Sequence, residues 1–388
     1  MSNFQIKLKD WQEDAFNKWK ENSCRGIIEA PTASGKTMLG IIGMHHFRTN
    51  TLIVVPKIQL MKQWKDEIVK YLGVDEKDIG FYFGEKKENK PIVIGVINSV
   101  RKVKFEDRDL IILDEIHNYA SEENIKLLEN NNFKYTMGLT ATLERADDND
   151  WMLEQFVGPV VYKMSQKDGI DNGFLNRFGV FNKSVELNAR EELELQKVTN
   201  TIKDKWMNYG SMEAINRAAM KNDYGAIHVR RAITKRKQIL HKAINKLSAC
   251  IKLIEENKGK KIIVFNEFQE MADKLVKYFP GCSLYHSGMI TKDKKNSIER
   301  FVSDQTDLLV SVKALDEGLN VKGAEVGIII AGSTTKRQTV QRLGRLLRPK
   351  EGKFAVLYQL YVPDTKDEDW LKKRNSYIKD VAEFIKFI

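Results

Sequence analysis

The sequence predicts an α/β protein with two tandem parallel sheets, and three observations predict it. Short runs that are apolar throughout recur along the chain, helical stretches separate them, and the rhythm restarts in the second half after a long basic interruption. A strand that is apolar on both sides of its pleat is typical of a parallel sheet covered by helices on both faces. The alternation of such strands with helices favours a doubly wound sheet.

The chain has 388 residues, which is enough for two domains, and its 42% hydrophobic content with only 7 prolines favours a folded globule. The first set of predicted strands lies at 26–30, 51–55, 91–97, 110–113 and 136–139. The second set lies at 261–265, 282–285, 307–312, 326–330 and 354–360. We therefore predict domains at 1–163 and 164–388, the second of which includes a helical insertion at about 186–256.

The charge of the chain is concentrated in that insertion. Lysine and arginine number 64 against 53 aspartates and glutamates, so the net charge is +11. Residues 195–246 alone hold 12 basic and 3 acidic side chains, a balance of 12 − 3 = +9. This concentration indicates a polyanionic partner, although a solvated basic face gives the same composition.

Composition also excludes some classes of protein. The cysteines, Cys24, Cys250 and Cys282, are odd in number and far apart, so they form neither a disulfide framework nor a zinc-ligand spacing. No apolar run approaches the roughly 20 residues of a membrane span, and the first residues carry no apolar signal core. We expect no membrane partner and a cytoplasmic protein of a bacterial, archaeal or phage-infected cell, with the nucleus left open.

The strongest motif is a loop of small residues between a predicted strand and a predicted helix at 38–47. It consists of Ala30, Pro31, Thr32, Ala33, Ser34, Gly35, Lys36 and Thr37. Small residues let backbone N–H groups point at phosphates, and a helix N-terminus adds positive potential. Lys36 would reach the β- and γ-phosphates of ATP, and the Thr37 hydroxyl would ligate Mg²⁺. The loop therefore predicts an ATP and Mg²⁺ site, against the alternative of a chance Gly-Lys-Thr at a helix start.

An acidic pair follows the predicted strand at 110–113. Asp114 and Glu115 stand at the carboxyl end of a buried strand, which is the edge where ligands bind in open α/β sheets. Asp114 suits Mg²⁺, and Glu115 suits polarisation of the attacking water. Acidic residues at a strand end are also common as solvated loop starts, but the phosphate loop upstream favours the catalytic interpretation.

The segment Asp-Glu-Ile-His at 114–117 resembles the DEAH-type box of the superfamily 2 helicases and translocases. Further motifs similar to that family follow in its order, at 8–12, 54–60, 97–99, 139–142, 264–266, 286–288, 307–320 and 341–348. The resemblance covers nearly the whole chain. It implies two RecA-like domains with ATP and Mg²⁺ bound between them.

The resemblance also implies roles around the nucleotide for seven residues: Gln12, His117, Gly318, Asn320, Gln341, Arg345 and Arg348. Gln12 corresponds to the adenine reader, and Asn320 stands where the family contacts the ribose. His117 would link the nucleotide site to the last motif. In that motif, Arg345 and Arg348 are three residues apart and share a helix face, so they would reach the γ-phosphate together when the domains close.

Other motifs imply contacts with a nucleic-acid strand, made by Pro56, Lys57, Asn98 and Ser99 in the first domain and by Ser311 in the second. Residues 140–148 resemble the XPB-like and phage UvsW-like DNA helicases. So do residues 158–162, followed by 168–175, where the family has a strand entering the second domain. This favours a helicase or translocase on single-stranded, forked or branched DNA, as in repair, recombination or replication.

Three alternatives stay open: an RNA helicase, a motor that moves on duplex without separating strands, and a binding module whose nucleotide site is only a switch. The chain resembles a minimal two-domain motor. Its oligomeric state is not fixed by the sequence, and a monomer is compatible with it.

The densest basic cluster lies in the insertion and consists of Arg230, Arg231, Lys235, Arg236 and Lys237. Phosphate contacts need such charges, so we expect this cluster to bind the nucleic-acid backbone, with a solvated helix face as the alternative. The aromatic residues Trp206, Tyr209 and Tyr224 lie near it. They would either stack on bases or pack into a helical core.

Overall fold

A computed structural model describes residues 7–32, 34–143, 150–286, 288–312, 324–332 and 354–388, together with Thr339 and Arg342. Two compact α/β units divide this chain between Leu175 and Asn176. Each unit contains one large sheet.

The first unit has eight described strands: β1 (Arg25–Glu29), β2 (Thr51–Val55), β3 (Ile79–Phe83), β4 (Lys86–Lys87), β5 (Ile92–Val96), β6 (Leu110–Asp114), β7 (Tyr135–Thr140) and β8 (Val160–Lys163). Its helices are α1 (Asp10–Glu21), α2 (Thr37–Phe47), α3 (Ile58–Leu72), α4 (Ile97–Val100), α5 (Glu122–Glu129), α6 (Asp150–Val157) and α7 (Gln166–Asp171). The strand order is β4-β3-β5-β2-β6-β7-β1-β8, and only the β3–β4 pair is antiparallel among the described pairs.

Alternate residues of these strands enter two separate cores. Ile53 and Ile112 pack in a core that includes α1, α2 and α3, whereas Leu52 and Ile111 pack in a core that includes α4, α5 and α6. The strands are apolar throughout because helices cover both faces of the sheet. Their parallel register places the carboxyl ends of β5, β2, β6, β7 and β1 along one edge.

The second unit has seven described strands, all parallel: β9 (Phe178–Ser184), β10 (Ile262–Asn266), β11 (Ser283–His286), β12 (Leu308–Val312), β13 (Val326–Ile329), β14 (Ala355–Tyr361) and β15 (Phe384–Phe387). Its helices are α8 (Ala189–Trp206), α9 (Met212–Met220), α10 (Tyr224–His241), α11 (Ile244–Glu256), α12 (Gln269–Tyr278), α13 (Thr291–Val302) and α14 (Lys366–Ser376). The strand order is β11-β12-β10-β13-β14-β9-β15.

Three helices of the second unit, α8, α9 and α10, form what we call the helical arm. α8 and α10 run antiparallel, because Glu194 pairs with Lys235 near one end of the pair and Lys205 contacts His228 near the other. Each arm helix begins at a side chain that caps a backbone N–H, as Asp223 does for α10. The basic helical segment predicted from composition is therefore present between strands of the second unit.

The predicted fold class is confirmed, with differences at the edges of the sheets. β3, β4, β9 and β15 were not predicted, and Val160–Lys163 is an edge strand of the first sheet, parallel to β1, rather than a strand entering the second domain. The strand that enters the second unit is β9, which pairs with β14. The first unit continues through α7 to Leu175. The domain limits 1–163 and 164–388 stay a prediction.

None of the helices in the described part of the chain is long and apolar enough to cross a membrane.

Candidate nucleotide site and nucleic-acid interface

The loop after β1 holds its lysine in a buried position. Ala30 N donates to the carbonyl of Thr140 at 3.0 Å, which fixes the start of the loop against β7. Lys36 Nζ donates to the carbonyls of Ala30 at 2.7 Å and Pro31 at 3.1 Å. The loop therefore wraps around its own ammonium group, and Thr37 begins α2 immediately after it.

Gln12 reaches this loop from α1. Its Oε1 accepts a hydrogen bond from Lys9 N at 2.9 Å, and its Nε2 donates to the carbonyl of Gly35 at 3.0 Å. Gly35 has φ +103°, and a Cβ atom there would lie 2.9 Å from the Gln12 amide. The residue expected to read adenine is thus buried against the phosphate loop, and only glycine suits the position it contacts.

The acidic pair lies at the same edge of the sheet. Asp114 ends β6, and its Oδ2 accepts a hydrogen bond from Trp64 Nε1 of α3 at 2.8 Å. The Tyr119 hydroxyl donates to the carbonyl of Asp114 at 2.8 Å and anchors the strand end. Glu115 has a left-handed backbone, with φ 51° and ψ 51°, which turns its side chain away from the strand direction.

Electrostatics at this edge are dominated by burial. Burial and the neighbouring Glu115 charge raise the pKa of Asp114 from 3.8 to about 6, although the Trp64 hydrogen bond and Lys36 oppose that rise. Burial lowers the pKa of Lys36, while Glu115 and Asp114 favour its charged form. The site therefore holds opposite charges that are poorly solvated, and a bound phosphate and cation would compensate them.

His117 connects the acidic turn to β7. Its Nδ1 lies 3.0 Å from the Thr140 hydroxyl and 3.4 Å from Glu115 Oε2. The Thr140 hydroxyl donates its single proton to the carbonyl of Thr142 at 2.7 Å, so His117 Nδ1 must be the donor toward it. His117 thus donates from Nδ1 to the Thr-Ala-Thr segment, with Glu115 close to the same nitrogen.

The residues present fit a nucleotide with Mg²⁺. The side-chain oxygens of Thr32 and Ser34 and the Oε2 atom of Glu115 are buried and make no hydrogen bond in the described part of the chain. Buried polar atoms without partners favour a ligand that supplies them. The described residues contain no group of three His, Cys, Asp or Glu side chains that could hold a metal ion alone. The cation would therefore take Asp114, Thr37 and phosphate oxygens as ligands.

The predicted strand-contacting residues of the first unit lie beside this site. Pro56 and Lys57 follow β2, and Asn98 and Ser99 lie in α4 directly after β5. β2 pairs with β5 on one side and with β6 on the other. The structure thus brings these four residues to the edge that carries Asp114. Ser311 lies within β12 of the second unit and is 1% exposed. Its contact with a nucleic-acid strand stays a prediction.

The predicted basic cluster divides into two kinds of side chain. Lys235 pairs with Glu194 at 3.3 Å, Lys237 pairs with Glu267 at 2.8 Å, and Arg236 is half-buried near Asp369. Arg230 and Arg231, by contrast, are exposed and have no acidic partner within the described ranges. Free basic charge is therefore concentrated at two of the five positions.

Six predicted site residues lie outside the described residues: Ala33, Gly318, Asn320, Gln341, Arg345 and Arg348.

The structure also identifies site residues that sequence reasoning missed. Neither Trp64 nor Tyr119 belongs to any of the predicted site motifs. A Cβ atom at Gly40 of α2 would lie 2.7 Å from Trp64 Cη2, so the close approach of α2 and α3 places the indole N–H at Asp114. No local sequence pattern signals a hydrogen bond between residues 50 positions apart.

Family models match both halves of the chain. Residues 5–145 match the type III restriction enzyme res subunit, and residues 245–350 match the helicase conserved C-terminal domain. The solved structure of the Pyrococcus furiosus Hef helicase domain is similar, with a TM-score of 0.64, 15% identity and coverage of 95% of this chain and 98% of that one. Saccharomyces cerevisiae Dbp5 bound to RNA and ADP BeF3 gives a TM-score of 0.70 at 12% identity, with coverage of 99% and 90%. These two likenesses concern the fold.

Curated relatives narrow the family. The DNA 3'-5' translocase XPB2 of Sulfurisphaera tokodaii is 31% identical over 95% of this chain and 84% of its own length. The DNA 3'-5' helicase XPB of Mycobacterium tuberculosis is 26% identical over 96% of this chain, which spans 64% of that protein. The chain belongs to the superfamily 2 helicases and translocases, among the relatives of the XPB proteins.

Proposed function

We propose that this protein is an ATP-dependent DNA helicase or translocase that couples ATP hydrolysis to movement on DNA. One observation carries the proposal: Lys36, Asp114 and Glu115 converge at the sheet edge that also presents the loops after β2 and β5. A nucleotide bound at this edge would lie beside a strand held by those loops. The XPB relatives, which are named as DNA enzymes, support DNA as that strand.

Each residue has a chemical task in the proposed reaction. Lys36 leaves the carbonyls of Ala30 and Pro31 to bind the β- and γ-phosphates, and Glu115 orients and polarises the attacking water. Asp114 and the Thr37 hydroxyl would hold Mg²⁺, which would neutralise charge on the phosphates. His117 Nδ1 lies 3.0 Å from the Thr140 hydroxyl and 3.4 Å from Glu115 Oε2, so a movement of Glu115 on nucleotide binding would reach β7 through this ring.

Finer features belong to the same proposal. The arginines Arg345 and Arg348 would complete the γ-phosphate site, in keeping with the last family motif. The sequence Asp-Glu-Ile-His at 114–117 supports a relationship to DEAH-type enzymes. The segment after β7 supports a relationship to UvsW-like enzymes. Forked or branched DNA, as met in repair, recombination or replication, is the proposed substrate, and a cytoplasmic location is proposed with it.

The test is the steady-state ATPase rate across a panel of polynucleotides: single-stranded DNA, duplex, fork, four-way junction and single-stranded RNA. We expect stimulation by DNA and no more than weak stimulation by RNA. Lys36→Ala should abolish the stimulated rate while near- and far-UV circular dichroism stay unchanged. Lys57→Ala, at the loop after β2, should keep basal turnover and lose stimulation.

Two outcomes would contradict the proposal in different ways. Stimulation by RNA alone would assign the chain to the RNA helicases. Retained turnover in the Lys36→Ala variant would remove the phosphate loop from the mechanism. Strand displacement on the fork, measured beside triplex displacement on duplex, distinguishes unwinding from movement without strand separation.

A further inference from the structure

The helical arm has a defined tip. The turn between α8 and α9 and the turn between α9 and α10 lie at the same end of the arm, since the Tyr209 hydroxyl donates to Asp223 Oδ1 at 2.7 Å. We call residues 207–224 the arm tip. The other end of α10 is fixed to the sheet of the second unit, where His241 and Lys237 contact Glu267 beside β10.

Hydrogen bonds and a small apolar core fix the conformation of the tip. Asp223 Oδ1 also accepts a hydrogen bond from Ala226 N at 2.8 Å, which caps α10. Ile215 and Ala219 of the tip form a buried core with Ala226 and Val229 of α10, and Trp206 and Tyr209 pack against it. The conformation of the residue after Asp223 is therefore set by capping and packing.

Large apolar side chains nevertheless project from this tip into solvent. Tyr224 is 88% exposed, Met207 87% and Met220 80%. The aromatic residues of the arm thus separate into two groups: Trp206 and Tyr209 belong to the core, whereas Tyr224 has no packing role there. Single exposed apolar residues are ordinary, but a rigidly capped helix start that presents a full tyrosine ring favours a partner for the ring.

Tyr224 heads a basic face of α10. An open groove of about 380 Å³ is lined by Ile227, Arg230, Arg231, Thr234, Lys235 and Gln238, which recur at the three- and four-residue spacing of one helix face. Tyr224 precedes Ile227 by three residues and Arg231 by seven, so it lies on the same face. At a rise of about 1.5 Å per residue, the face from Tyr224 to Gln238 is about 21 Å long.

We propose that Tyr224 stacks on a base of an unpaired DNA strand whose phosphates lie along Arg230 and Arg231. The inference rests on the proposed function and adds a site to it. Two exposed guanidinium groups without acidic partners in the described chain are available to phosphates, and a nucleic-acid strand supplies phosphates and a π-face together. Bases within a duplex are already stacked on each other and are not available to the Tyr224 ring. The arm tip therefore selects single-stranded DNA, such as the unpaired strand of a fork.

Equilibrium binding of fluorescein-labelled oligothymidine, and of an abasic oligomer of equal length, tests the proposal. Because base–aromatic stacking is worth roughly 1–3 kcal/mol, Tyr224→Ala should weaken oligothymidine binding about 5- to 150-fold. The same variant should bind the abasic oligomer and a blunt duplex as wild type does. Tyr224→Phe should keep wild-type affinity, because the ring is retained.

Matched controls separate stacking from charge and from damage to the fold. Tyr278 in α12 is 64% exposed, and Tyr278→Ala should leave oligothymidine binding unchanged. Arg230→Gln and Arg231→Gln should each reduce the slope of log affinity against log salt by about 0.7, whereas Tyr224→Ala should leave that slope as it is.

Each remaining outcome overturns something definite. If Tyr224→Ala binds oligothymidine as wild type does while DNA still stimulates the wild-type ATPase, the stacking site is refuted and the proposed function stands. If Tyr224→Phe loses as much affinity as Tyr224→Ala, the hydroxyl and not the ring makes the contact, which also refutes stacking. If wild type neither binds DNA nor responds to it, the proposed function fails and this inference fails with it.

Discussion

Replacing Asp114 with asparagine should stabilise the ligand-free protein while it destroys the ATPase. The carboxyl of Asp114 is partly buried next to Glu115, and its ionisation is disfavoured for both reasons. Asparagine has nearly the same shape and keeps an oxygen that can accept the Trp64 N–H. The substitution therefore removes a costly charge without opening a cavity, and it removes the ligand that Mg²⁺ requires.

The magnitude follows from the pKa of Asp114, which rises from 3.8 to about 6. Each pKa unit corresponds to about 1.4 kcal/mol, so ionised Asp114 costs the folded state about 3 kcal/mol at pH 7.5. The folded state holds this proton more tightly than the unfolded chain, so the free energy of unfolding of wild type falls as the pH rises from about 4 to about 6. At pH 5 roughly half of the cost is present, and the advantage of Asp114→Asn should halve.

Urea unfolding without nucleotide or Mg²⁺, at pH 7.5 and at pH 5, measures both quantities. Asp66→Asn is the matched control, because Asp66 is exposed on α3 and its replacement should change stability little at either pH. An Asp114→Asn variant that is less stable than wild type at pH 7.5 would refute the reasoning. A gain of equal size at both pH values would refute it as well, since it would not come from the ionisation of this carboxyl.

Other contacts lead to further expectations. Trp64→Phe deletes a hydrogen bond to a carboxylate, so it should cost roughly 1.5–3 kcal/mol of unfolding free energy and raise the Mg²⁺ concentration for half-maximal ATPase. Gly40→Ala should cost about 1–3 kcal/mol by overpacking, because the new Cβ would lie 2.7 Å from the indole, whereas Gly43→Ala, at 3.3 Å from its nearest neighbour, should cost less in the same denaturation assay. Lys246→Met removes the ammonium partner of the buried Asp367 carboxylate, so it should cost about 3–5 kcal/mol. The double variant with Asp367→Leu should recover most of that loss, and a double variant as unstable as the single one would contradict this account of the buried pair.

The sequence predicted the central strands and the nucleotide loop well, for a physical reason. A strand covered on both faces, such as β2 or β6, must be apolar at every position, and that pattern is local. β15 is an edge strand, and β3 and β9 lie next to an edge of their sheets. None of the three is buried along its whole length, so a continuous apolar run does not identify them. The assignment of Val160–Lys163 was wrong because pairing with β1 is a long-range choice.

Side-chain roles that depend on packing were beyond the sequence. Helical spacing placed Trp206, Tyr209 and Tyr224 near one another but did not say which ring faces the core, since that depends on how α8, α9 and α10 pack. The same applies to the basic cluster, in which Lys235 and Lys237 are neutralised by acids 41 and 30 residues away, 235 − 194 and 267 − 237. Motif spacing identified the chemistry of the nucleotide site, and packing decided which of the nearby charges are free.

The central claim is that ATP hydrolysis at Glu115 drives movement along DNA, and triplex displacement tests it most directly. A third strand on a duplex is displaced only by a protein that moves, and Glu115→Gln keeps the size of the side chain while removing the charge that polarises water. We predict displacement by wild type with ATP and Mg²⁺, and none by Glu115→Gln under the same conditions. Displacement by Glu115→Gln at the wild-type rate, or none by a wild-type protein whose ATPase DNA stimulates, would contradict the coupling.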